Sequence, residues 1–108
     1  MTLRAEDRVL LLDIASIAEM AAMARILFQG SLVAIGSRER VDEARAALSE
    51  FDNVMFIEAA PDQIPWRNEY FTKVLVPPHM TAFLGSAGAE LQRVLAPGGE
   101  ILYERIEA

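Results

Sequence analysis

The chemistry available to this chain is narrow. Its sequence contains one histidine and no cysteine, which excludes disulfides, thiolate metal sites and cysteine nucleophiles. The histidine, His79, follows Val76-Pro77-Pro78. It is the side chain best suited to move a proton near neutral pH, as a general base would. No serine and acid are spaced to complete a triad with it, and one imidazole among scattered carboxylates does not make a metal site. The plainer role is that two prolines stop a strand and leave His79 in a loop. A second group, Trp66, Tyr70 and Phe71, could stack on a ligand. It is better suited to packing a loop against a sheet.

These residues sit in a chain of 108 residues, 53% of them hydrophobic, with a formal net charge of −6. That length supports a single domain, residues 1–108, with one core. The acidic balance argues against nucleic acid or an anionic membrane surface as partner. No apolar run approaches the ~20 residues of a membrane span. The opening segment, Met1-Thr2-Leu3-Arg4-Ala5-Glu6-Asp7, is too charged for a signal peptide, so a cytoplasmic location is expected.

Short β-like runs alternate with helical ones, the pattern of a parallel sheet wrapped by helices. Val9-Leu10-Leu11-Leu12, ending at Asp13-Ile14, is a continuously apolar run, as a central strand covered on both faces requires. A helix is expected over about Ile17 to Phe28, with Ile17, Met20, Ala21, Ala24, Leu27 and Phe28 facing the sheet and Gly30 as its left-handed cap. Leu32 to Ile35 reads as the second strand. Ser37 then caps a second helix, with Glu39 as a helix-start charge and Val41, Ala44, Ala47 and Leu48 as its buried face. Val54 to Ile57, Phe71 to Val76 and Ile101 to Ile106 complete the strands, and a third helix spans about Ala82 to Leu95. Right-handed crossovers favour the strand order 3-2-1-4-5.

In order and spacing these segments resemble the class I S-adenosylmethionine (SAM) methyltransferases. Leu11-Leu12-Asp13-Ile14 is similar to the end of that family's first strand. Ile64-Pro65-Trp66 followed by Tyr70-Phe71 resembles its "LPF…FD" stretch. Glu90-Leu91-Gln92-Arg93-Val94-Leu95-Ala96-Pro97-Gly98-Gly99-Glu100-Ile101-Leu102 resembles "ELxRVLxPGGxLL", the most specific match. The resemblance implies an α/β, three-layer Rossmann-like fold of about five strands that lacks the last two strands of the family.

The same resemblance exposes a replaced cofactor site. Where the family has alternating glycines after strand one, this chain has Ala15, Ile17 and Glu19. Glycine serves there because it carries no Cβ and reaches positive φ freely, whereas Ile17 is β-branched. Gly36 stands where an acid would hold the ribose, and Ala60 where an acid would face the adenine. If SAM binds at all, the resemblance leaves Asp13, which orders the loop after strand one, with Glu39 and Asp62 as substitutes. Val76-Pro77-Pro78-His79 resembles the "(N/D)PP(Y/F)" motif of amino-methylating members, with Val76 in place of the amide or acid.

One further expectation concerns the first helix. Opposite its sheet-facing stripe lie Glu19, Ala22, Met23 and Ile26, a surface that should be polar if it faced water. Ala22, Met23 and Ile26 are therefore expected to form an interface, in a homodimer or with another protein. Glu104, Arg105 and Glu107 would guard the last strand against indiscriminate pairing. The chain thus reads as a non-catalytic module acting through protein interaction, with no cofactor. The alternatives are a divergent SAM-dependent methyltransferase working with a partner subunit, and a small-ligand binder that kept the crevice and changed its occupant.

Overall fold

The computed structural model describes residues 3–14 and 16–103. Ala15, Glu104, Arg105 and Glu107 lie outside them. Five strands, β1 (Arg8–Leu11), β2 (Ser31–Gly36), β3 (Val54–Glu58), β4 (Phe71–Leu75) and β5 (Leu95–Leu102), form one parallel sheet in the order β3-β2-β1-β4-β5. This is the expected Rossmann-like order. Helices α1 (Ile17–Ile26) and α2 (Arg38–Ala47) connect the strands on one side, and a 3₁₀ helix (Pro78–Phe83) leads into α3 (Leu84–Val94).

The continuous apolar run of β1 has the cause expected for it. Val9 and Leu11 join the core beneath α1 and α2, while Leu10 and Leu12 join the core beneath α3. Alternate residues of a strand point to opposite faces, so a strand covered twice has no polar position to spare. The layers are therefore α1 and α2, the sheet, and α3 with the segment from Ala59 to Tyr70.

Helix α1 departs from the expected pattern. It ends at Ile26, and Met23 is only 2% exposed within the core, with Ile26 and Ile17 half-buried against it. Met23 is thus a core residue and not part of an outward surface, a correction that follows from a wider apolar stripe than one helical face requires. Phe28, expected on the sheet side, is 72% exposed because the helix has stopped before reaching it. Ala47 of α2, expected in the buried face, is likewise exposed.

Gly30 is also needed for a different reason from the one expected. The positive φ angles among the described residues belong to Glu69 and Gly98, so Gly30 is not a left-handed cap. It instead lies where a Cβ would stand 2.0 Å from the Asp7 carbonyl oxygen, which accepts the Ser31 N–H at 3.1 Å. The exposed carbonyls at the end of α1 are closed by Asn53, whose amide donates to Ala24 and Leu27 at 2.9 and 3.0 Å.

The motif around Glu90 and Arg93 acts as a clamp between α3 and the segment before β4. Arg93 bonds both Glu90 oxygens, the carbonyls of Ile64 and Trp66, and Asn68 Oδ1, all within 2.6 to 3.0 Å. The Ile64 N–H donates to Glu90 Oε2 at 2.7 Å. The Arg93 hydrogen bond, helped by that N–H, holds the Glu90 carboxyl down at about 2. Beyond α3, Leu95 pairs opposite Phe71, and Pro97-Gly98-Gly99 bulges outward before pairing resumes at Glu100.

Candidate functional site

The connections leaving β1 and β4 diverge, one toward β2 and the other toward β5. Between their carboxyl ends lies the crevice where open α/β sheets bind ligands. Two residues that the sequence leaves unconnected meet there. His79 Nε2 lies 2.6 Å from Asp13 Oδ2, with the imidazole 64% exposed and the aspartate half-buried.

The approach is set by the backbone. The last ladder N–H of the β4 end, that of Val76, donates to Leu102. Pro77 and Pro78 have no N–H to offer, and the Met80 N–H turns back to the Pro77 carbonyl at 2.9 Å. That tight turn carries His79 across to β1. Asp13 is fixed in turn, because Oδ1 accepts the Ile14 N–H at 2.9 Å. Asp13 therefore orders the turn after β1, as the family resemblance implies, and also holds the only histidine.

Next to this pair lies the turn from β1 into α1, where the resemblance places the cofactor residues. Ser16 caps α1, its Oγ accepting the Glu19 N–H at 3.1 Å, so two of the replaced positions, Ile17 and Glu19, belong to an ordinary helix start. Ile14 is buried, and its Cδ1 and Cγ1 lie 3.0 Å from where a Cβ on Gly36 would stand. A side chain at position 36 would press on Ile14, which would have to give way by a few tenths of an ångström. Arg40 of α2 donates to the Ile14 carbonyl at 2.7 Å and ties the turn to α2. Ile14, Ser16, Ile17, Arg40 and Glu43 line a small cavity of about 120 Å³ between the turn and α2.

Glu39 and Asp62 are exposed, and neither side chain bonds another described residue. Of the proposed cofactor residues, only Asp13 is thus drawn into a constellation. Sequence reasoning missed Ile14, Arg40 and the Glu90–Arg93 pair. Only the last left a signal, an acid and a base three apart on a helix. Trp66, Tyr70 and Phe71 pack on one another with centroids 5.0 to 5.8 Å apart.

Fold and crevice together define the class of architecture: the Rossmann-like fold of the class I SAM-dependent methyltransferases. No protein-family model and no curated protein matches the sequence, but solved structures share the fold. A SAM-dependent methyltransferase from Aquifex aeolicus superposes with a TM-score of 0.75 at 18% identity, over 89% of this chain and 54% of its own. A putative methyltransferase of Haloferax volcanii, in complex with the Trm112 methyltransferase activator, matches with a TM-score of 0.75 at 21% identity, over 94% of this chain and 46% of its own. The cyclase SpnF matches with a TM-score of 0.77 at 21% identity, over 92% and 38%. This chain spans about half the length of these proteins, or less. The presence of a cyclase among them shows that the fold by itself does not decide the reaction.

Proposed function

We propose that this chain is a methyltransferase-fold module that acts through contact with another protein and no longer uses SAM. The observation that carries this reading is the packing of Ile14 against Gly36, 3.0 Å from any Cβ placed there. It crowds the position from which an acid would hold the ribose, so that an acid there needs Ile14 to shift. The replaced glycine positions agree with it, since Ser16 has turned that stretch into a capped helix start. The residues present do not fit the cofactor. A partner is in keeping with the Haloferax volcanii protein, which assembles with an activator. No helix among the described residues is long and apolar enough to cross a membrane.

Isothermal titration with SAM and with S-adenosylhomocysteine tests the proposal, with no heat of binding expected from either. Micromolar binding of either compound would overturn it. Light scattering on the same sample separates a homodimer from a monomer that awaits a different partner.

One observation favours a second reading, a divergent methyltransferase that needs a partner subunit. The His79–Asp13 pair stands at the switch point of the sheet, where it could hold a proton beside a substrate. In that reading Asp13, Glu39 and Asp62 contact the cofactor, and Gly36→Asp combined with Ile14→Ala should strengthen SAM binding.

A further inference from the structure

We infer that the groove between β3 and the Trp66–Tyr70 segment receives a stretch of another protein bearing an apolar side chain with a carboxylate beside it. This rests on the reading that the module works by protein contact, and it names the surface and the partner's chemistry. The groove holds about 490 Å³ and lies on the α3 side of the sheet, over Val33 of β2 and Met55 of β3. Trp66 and Tyr70 line it, and Phe28 stands at its amino end.

Different observations converge on this place. Phe28 and Met55, the latter 50% exposed, are two of the large apolar side chains most open to solvent among the described residues. Both line the groove, so the exposure forms a patch and is not scattered. The buried side-chain polar atoms that lack a partner among the described residues are Ser31 Oγ and Trp66 Nε1, and both residues also line it.

Charge selects the kind of occupant. The guanidinium groups of Arg8 and Arg67 lie over the Tyr70 ring at 5.2 and 4.5 Å from its centroid. Neither forms an ion pair among the described residues. Both cations thus sit on the ring that closes one end of the groove, outside its lining, with Arg8 Nε held by the Tyr70 carbonyl at 2.7 Å. Asp52 lies in the groove wall beside Asn53 and Val54, so an incoming carboxylate belongs at the Tyr70 end. A second copy of this chain brings net charge −6 against −6, which disfavours it as the occupant.

Trp66 is the only tryptophan, so its fluorescence and its indole N–H resonance report on the groove directly. The probes are short capped peptides that share a Leu-Phe pair and differ in being flanked by aspartates, lysines or serines. The aspartate peptide is expected to move the Trp66 signals and to bind roughly tenfold more tightly than the lysine peptide, through two rim charges. Arg67→Glu, at an exposed position, should reverse that preference. Met55→Asp should abolish binding while the circular dichroism stays unchanged. The inference is overturned if no peptide moves Trp66 at millimolar concentration, or if all bind alike. It is equally overturned if Trp66 responds to protein concentration alone while sedimentation shows a dimer. In each of those cases the absence of SAM binding leaves the broader reading standing, whereas SAM binding removes that reading whatever the peptides do.

Discussion

At the amino end of β1 the Asp7 residue is 4% exposed. Its carboxylate accepts from the Arg4 N–H and from Thr72 Oγ1, each at 2.8 Å, with Lys73 Nζ 3.7 Å away. At the carboxyl end Asp13 holds an exposed His79 and one backbone N–H. Burial alone would raise the Asp7 pKa, but the Arg4 N–H, Thr72 and Lys73 outweigh it and leave the pKa lowered. The first aspartate is closed in on every side and joins β1, β2 and β4, whereas the second has capacity to spare. The carboxyl end of an open α/β sheet is where small ligands enter, whereas the Asp7 network ties the starts of three strands together.

The largest effect should come from the amino end. Gly30→Ala drives a methyl group into the Asp7 carbonyl and should cost about 3 kcal/mol or more in urea unfolding. Asp7→Ala leaves the Arg4 N–H without its acceptor, takes an acceptor from Thr72 and leaves Lys73 with Glu100 alone, and should cost about 2–3 kcal/mol. Acid tests the clamp on α3. Because the Glu90 pKa is lowered to about 2, its contribution is complete above about 4.5 and is lost as the pH falls toward 2. Asp7 shifts in the same direction. Thermal melts across that range should show a loss of stability that is shallower in Glu90→Gln.

A smaller and opposite effect is expected in α3. A Cβ at Gly88 meets nothing within 4 Å, so Gly88→Ala should stabilise by roughly 0.5–1 kcal/mol. Asp13→Ala should change stability least, by no more than about 1 kcal/mol, because its side-chain partner His79 is exposed to solvent. If Asp13→Ala cost as much as Asp7→Ala, the contrast between the two ends would fail.

Much of the architecture was legible. Strand runs such as Leu32 to Ile35 are apolar because both of their faces are covered, and right-handed crossovers then leave few orders for five parallel strands. The site was less legible. His79 and Asp13 are 66 residues apart, and no spacing rule joins the ends of two strands separated by two others in sequence. Met23 was misplaced because periodicity identifies an apolar stripe but not how far the neighbouring strands wrap around it. Phe28 was misplaced because the end of a helix is poorly marked when the capping groups come from elsewhere, here Asn53.

The Glu90–Leu102 motif shows the boundary between the two kinds of information. The sequence by itself determined that a helix gives way to a strand in this stretch, but the strand expected from Ile101 begins at Leu95 and carries Pro97-Gly98-Gly99 as a break in its register. Only the tertiary structure decided that Arg93 would spend its donors on Ile64, Trp66 and Asn68, that Gly30 would serve close approach to Asp7, and that Ile14 would fill the space beside Gly36. Those outcomes depend on which distant backbone atoms packing brings within 3 Å, a distance set by the whole sheet and not by neighbouring residues.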